Sequence, residues 1–282
     1  MDLFGSQSEG VVNNLPATDT NILSKAVGPA HFAAAAYCPS RKGNNMNWNC
    51  ATHCTAPQTQ GSVVHSNFQD DSSGMAGSIT YQVSRNVLTV AFRGTQADAS
   101  VITDIRFALT PIRGFTGIPN PNDASVHDGF LTGYLSVQKD ILNGIQQVMQ
   151  QYPKFSIEFV GHSLGAATSQ LAALDAYTAL NYKNKITQYS FNGPRVGNQG
   201  YTSLLKFPIY RFTHGADIVS RMPPPLLGFQ HPNAPEYWED NGQFKTCKEQ
   251  ESSSCNNSKS FGLLDPALHL HFYTVNFDAQ GC

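Results

Sequence analysis

The run Phe159-Val160-Gly161-His162-Ser163-Leu164-Gly165-Ala166-Ala167 restricts the fold of this 282-residue chain more than any other stretch. An apolar segment gives way at Ser163 to an alanine-rich one, and glycines stand two residues before and two residues after the serine. A strand that passes directly into a helix bends its backbone sharply at the joint, and glycines on either side remove the Cβ atoms that would collide. Such a bend can hold a serine hydroxyl above the edge of a sheet. At average Gly and Ser usage of about 7% each, chance supplies on the order of 0.1 such patterns in a chain this long.

The flanking sequence fits that geometry. Residues 155–160 read as strand, 164–180 as helix, 186–191 as strand, 199–205 as helix and 209–213 as strand; before them, 130–152 is an amphipathic helix that Pro153 ends. Strands alternating with helices predict parallel βαβ units whose sheet is covered on both faces, an α/β fold. Upstream, 62–68, 76–84 and 87–92 read as strands, with Arg85-Asn86 as a hairpin turn, and 18–37 as a helix capped by Asp19 or Thr20 and kinked at Gly28-Pro29. Residues 222–264, rich in Pro, Ser and Asn, read as irregular, and 271–277 as a final strand. One domain over residues 18–282 is expected, with 1–17 as an extension.

A serine hydroxyl is a weak nucleophile at neutral pH; it needs a base, and the base needs a carboxylate to fix its tautomer and stabilise the imidazolium. When the serine sits at a strand-to-helix joint, the acid and then the histidine follow it in the chain. Asp217 follows the 209–213 strand by a short loop, which brings it to the carboxyl edge beside Ser163, whereas Asp240, Asp265 and Asp278 fall in irregular or terminal segments. His269 and His271 both fit the base, His231 is an outsider, and His214 reads as hydrogen-bonding support. Leu164 opens the helix, so its N–H points to where an oxyanion would form.

Composition narrows the setting. Charged residues make up 13% of the chain, against about 25% for an average soluble protein, which fits a secreted protein with a Ser-, Thr-, Asn- and Gln-rich surface. A net charge of −2 without a Lys/Arg cluster excludes nucleic acid as a partner. No apolar run reaches the roughly 18 residues of a membrane span, and residues 1–16 lack signal-peptide blocks, so the chain reads as a mature form. The six cysteines avoid zinc-type spacing and read as three disulfides. Cys50 with Cys54 and Cys247 with Cys255 make local loops; Cys38 then pairs with Cys282, tying an N-terminal helix to the chain end and contributing about 4 to 5 kcal/mol. Asn256-Asn257-Ser258 is a glycosylation sequon in what reads as a surface loop.

Seven motifs in order carry a family resemblance: Ala91 to Thr95, His127 to Phe130, Gly161 to Gly165, Gly193 to Asn198, Thr213-His214 through Asp217, Glu236 to Trp238, and His269-Leu270 followed by aromatics. From about Phe32 to the C-terminus the chain resembles the filamentous-fungal lipases of the class 3 family, α/β-hydrolases that also include feruloyl esterases. The resemblance implies Ser163 as nucleophile, Asp217 as orienting acid, His269 as base, and Thr95 with Leu164 as oxyanion-hole donors. It implies no metal or organic cofactor. Arg93 and Arg195 read as structural, holding loops through carbonyl groups.

Between Thr95 and His127 lie 31 residues, among which Val101, Ile102, Ile105, Ala108 and Leu109 share one helical face, with Phe107 on the polar side as an exception. An amphipathic helix beside an active site reads as a lid, here about 96–112. Covering each large apolar lid residue is worth about 1.5 to 3 kcal/mol, so the lid is expected closed in water and open on lipid. The expectation is a secreted, monomeric serine lipase acting on triacylglycerol or diacylglycerol at a lipid-water interface without stable membrane insertion. A feruloyl-type esterase for soluble aromatic esters is the first alternative and a catalytically silent lipid-binding relative the second.

Overall fold

The computed structural model describes residues 17–38, 48–95, 107–118, 123–259, 266–279 and 282. The chain begins with α1 (Ala17–Ala35), which continues through Pro29, and the single turn α2 (Thr52–Thr55). Three strands follow, β1 (Val63–Asp70), β2 (Met75–Gln82) and β3 (Val87–Phe92), and then a short pair, β4 (Leu109–Pro111) and β5 (Ser125–His127). The second half runs α3 (Asp128–Gln151), β6 (Ser156–His162), α4 (Leu164–Ala179), β7 (Ile186–Phe191), α5 (Gln199–Thr202) and β8 (Ile209–His214). It closes with β9 (Glu236–Asp240), β10 (Gln243–Cys247), α6 (Pro266–His269), β11 (His271–Phe272) and β12 (Val275–Asn276).

Eight strands form one sheet in the order β1-β2-β3-β6-β7-β8-β9-β10. β3, β6, β7, β8 and β9 pair in parallel, and antiparallel pairings add β1 and β2 at one edge and β10 at the other. This is the doubly covered, mixed and mostly parallel sheet expected. Alternate strand residues face opposite sides. Val90, Phe92 and Phe159 join one core with α3 and α4, while Ala91, Val160 and Phe191 join another with α1, Phe272 and Phe277.

Three expectations are corrected. Segment 222–264 is not wholly irregular: Glu236–Asp240 and Gln243–Cys247 turn on Asn241-Gly242, both at positive φ, and extend the sheet. The final strand is instead a two-residue hairpin pair, His271–Phe272 with Val275–Asn276, because Tyr273 takes a φ of 53° and breaks the extended run. Leu109 is not on a helix. It is a strand residue opposite His127, with Thr110 opposite Val126 and Pro111 opposite Ser125, and the Ala108 carbonyl accepts the Asp128 N–H at 2.9 Å. Tertiary pairing with β5 outweighs the helical spacing of the short apolar pattern. The other expected lid residues, Val101, Ile102 and Ile105, lie outside the described residues.

All three cysteine pairs are bonded as expected, Cys38–Cys282, Cys50–Cys54 and Cys247–Cys255. No helix among the described residues is long and apolar enough to cross a membrane.

Candidate active site

Ser163 stands where β6 ends and α4 begins, with φ 57° and ψ −128°, a backbone state that non-glycine residues rarely adopt. The two glycines have a steric cause: a Cβ on Gly161 would strike the Gly165 carbonyl, and one on Gly165 would strike the Phe92 carbonyl. The Ser163 N–H is held by the Phe191 carbonyl of β7 at 3.0 Å, so the joint is pinned to the neighbouring strand. Leu164, as the first helical residue, has an N–H with no acceptor inside its helix.

His269 Nε2 lies 2.8 Å from Ser163 Oγ, and His269 Nδ1 lies 3.0 Å from Asp217 Oδ2. Ser163, Asp217 and His269 are all buried. Asp217 follows β8 by the short loop expected; its Oδ1 accepts the Val219 N–H and its Oδ2 the Ser220 hydroxyl, each at 3.0 Å. With Nδ1–H donated to the carboxylate, Nε2 is left to accept the serine proton. That line can convert a hydroxyl into a nucleophile and return the proton to a leaving group.

The other histidines are occupied elsewhere. His271 Nδ1 meets Asn276 Oδ1 at 2.7 Å, and His231 Nε2 donates to the Ser220 carbonyl at 2.8 Å. His214 lies between the Leu268 carbonyl at 2.9 Å and the Glu239 carboxylate at 3.1 Å, so it braces the His269 segment. His162 is fully buried: its Nε2 donates to the His269 carbonyl at 2.8 Å, and its Nδ1 accepts the Tyr37 hydroxyl at 2.7 Å. Burial, and then the neighbouring His269, hold the His162 pKa well below the usual imidazole value, so His162 is neutral.

Beside Ser163 lies an apolar pocket lined by Phe107, Phe130, Val219, Met222 and Pro223 together with Thr95, Leu164 and Pro194. Phe107, the exception to the helical pattern, is thus a pocket residue, set edge-on to His127. Arg195 holds the Arg221–Pro223 stretch that contributes Met222 and Pro223 to this pocket. Its guanidinium grips Glu251 at 2.9 and 2.6 Å and donates to the carbonyls of Arg221 and Pro223. Arg93 donates to the Gly74 carbonyl at 2.9 Å, likewise a loop-holding contact.

Two supporting residues escaped the sequence reading. Asn256 is buried rather than on a surface loop, and its Nδ2, the atom a sequon glycan would occupy, donates to the carbonyls of Gly215 and Asp217 at 3.2 Å each. Asn192, also buried, donates to the His269 carbonyl at 2.7 Å. Local sequence carries no signal for either role, since both partners are distant in the chain. Among the described residues no group of three or more His, Cys, Asp or Glu could hold a metal ion.

The family model described as Lipase (class 3) matches residues 89–227. The lipase of Rhizopus niveus is 32% identical over 258 residues, covering 88% of this chain and 62% of that protein, so the chain spans about three fifths of the relative's length. The secreted mono- and diacylglycerol lipase 1 of Fusarium solani is 27% identical over 254 residues, covering 86% of this chain and 73% of that protein. The crystal structure of the lipase from Rhizopus microsporus var. chinensis superposes with a TM-score of 0.82 at 29% identity, over 95% of this chain and 91% of that one. In its α/β-hydrolase sheet and its ordered motifs, the chain is similar to the lipases of class 3.

Proposed function

We propose that the protein is a secreted serine lipase that hydrolyses acylglycerol esters through an acyl-enzyme. One observation carries the reading: the Ser163–His269–Asp217 contacts at 2.8 and 3.0 Å adjoin a narrow apolar pocket lined by Phe107, Phe130, Val219, Met222 and Pro223. Ser163 Oγ attacks the ester carbonyl carbon while its proton moves to His269 Nε2, and Asp217 stabilises the imidazolium. The oxygen that becomes negative is received by the Leu164 N–H and by Thr95, each donor worth roughly 10² to 10³ in rate. Collapse of this intermediate breaks the carbon–oxygen bond to glycerol, and His269 returns the proton to the departing alkoxide. Water then repeats the sequence on the acyl-enzyme and releases the fatty acid.

The segment before Phe107, which includes Val101, Ile102 and Ile105, is proposed as a lid that moves aside at an oil surface. Three disulfides support an extracellular setting, and the protein is proposed to act as a monomer.

The test follows hydrolysis of a short-chain triglyceride and of the matching diglyceride through their solubility limits, beside methyl ferulate. A rise in rate on emulsification is expected, with Ser163→Ala inactive. Brisk ferulate cleavage without such a rise would replace the lipase reading by the aromatic esterase.

A further inference from the structure

We propose that Asn192 is a positioning residue for His269, an inference that rests on the reading of His269 as the general base. His269 ends α6, a single turn outside the eight-stranded sheet. The last carbonyls of a helix have no partner within it, and a turn this short cannot hold its own orientation. Asn192 supplies what is missing. Its Nδ2 donates to the His269 carbonyl at 2.7 Å and approaches the carbonyls of His271 and Leu268 at 3.3 and 3.4 Å. The amide thus caps the C-terminal end of α6 and spans the segment that carries the imidazole.

Asn192 can do this because of where it stands. It follows Phe191, the last residue of β7, and its own N–H is bonded to the Phe212 carbonyl of β8 at 2.8 Å. Its φ of 49° lies in the left-handed region, which glycine enters freely and asparagine tolerates better than other side chains. Glycine would suit the backbone at this position but would bring no donor. His162 donates to the same His269 carbonyl at 2.8 Å, so that oxygen is held by two N–H groups from different strands. The imidazole's dual reach, to Ser163 and to Asp217, depends on this fixed backbone.

The discriminating variant is Asn192→Gly, which relaxes the backbone while deleting the amide. On soluble p-nitrophenyl butyrate, kcat is expected to fall tenfold or more with KM within twofold. The acid limb of the kcat/KM profile is expected to move to lower pH as Asp217 loses its hold on the imidazolium, and the melting temperature to fall by only a few degrees, since relief of the positive φ offsets part of the lost hydrogen bonding. Asn192→Asp, which places a carboxylate against the same carbonyls, is expected to lose at least as much. Unchanged kcat and an unchanged pH profile in the glycine variant would overturn the proposal, as would a rate loss matched by an equal fall in thermal stability. Labelling with a p-nitrophenyl alkylphosphonate separates this result from the function itself. If wild-type Ser163 is not labelled, the serine-hydrolase reading fails; if wild type and Asn192→Gly are labelled at equal rates, only the positioning role does.

Discussion

The Tyr37 hydroxyl lies 2.7 Å from His162 Nδ1, and together with the bond from His162 Nε2 to the His269 carbonyl it links the end of the N-terminal helix to the segment bearing His269. Tyr37 neighbours Cys38, whose disulfide reaches Cys282 at the other end of the chain. It also packs against Gly94, where a Cβ would collide with the Tyr37 hydroxyl. Three distant stretches of sequence therefore meet behind Ser163.

Replacing Tyr37 by Phe leaves a buried imidazole nitrogen without its donor, at a cost of about 1 to 3 kcal/mol. Thermal unfolding should show that loss. The rate on a soluble ester should fall several-fold with KM preserved, since His162 remains in place but loses the contact that sets its tautomer.

Asp217→Asn keeps the shape of the acid and removes its charge. Its Nδ2 would then face the imidazole and favour the wrong tautomer, so kcat should drop by a factor on the order of 10⁴. Substrate affinity should hardly change, and steady-state kinetics on one soluble and one emulsified ester check both parts.

Stability should decline in mild acid. Burial and the adjacent His53 pull the His31 pKa down to about 4, and burial holds His162 and His231 well below the usual value. In the unfolded chain histidine binds a proton near pH 6.5, so below that pH the unfolded state gains protons that the folded state refuses. The contribution is intact above about pH 6.5 and is lost progressively as pH falls towards 4. Melting temperatures from pH 7 to pH 4 should trace this decline, with a shallower slope in His31→Gln.

Removing the Cys38–Cys282 bridge by paired serine substitutions frees a loop with a sequence separation of 244. The chain-entropy estimate puts the loss at about 5 kcal/mol, and denaturant unfolding measures it. Removing the Cys50–Cys54 bridge, separated by only 4 residues, should cost markedly less.

Asn256→Asp turns a donor towards two carbonyl oxygens into an acceptor and leaves the Gly215 and Asp217 carbonyls without their bonds. A destabilisation of roughly 1 to 3 kcal/mol is expected, together with a lower kcat, because the loop that carries the acid loses its support. Ser258→Ala, which abolishes the sequon but retains the amide, should leave both quantities unchanged.

How far the sequence could be read depended on the range of the forces involved. The joint at Ser163 was legible because its demand is local: the glycines answer a clash within one turn of backbone. β6, α4 and β7 were legible for a similar reason, since apolar spacing reports directly on which face is covered. Strands β9 and β10 were obscured by their polar, edge-of-sheet composition, and β4 by an apolar pattern too short to separate helical from extended spacing. Residue spacing alone could not choose between His269 and His271; the turn at α6 sends the first to Ser163 and the second to Asn276. Asn192 and Asn256 were illegible because each acts on a carbonyl more than thirty residues away along the chain.

The dipeptide Phe191-Asn192 holds the Ser163 N–H through its first residue and the His269 carbonyl through its second. The backbones that carry the Ser163 hydroxyl and the His269 imidazole are thus moored to the same two residues. The spacing between the hydroxyl and the ring is therefore referred to a single dipeptide at the end of β7, although the two groups lie 106 residues apart in the chain.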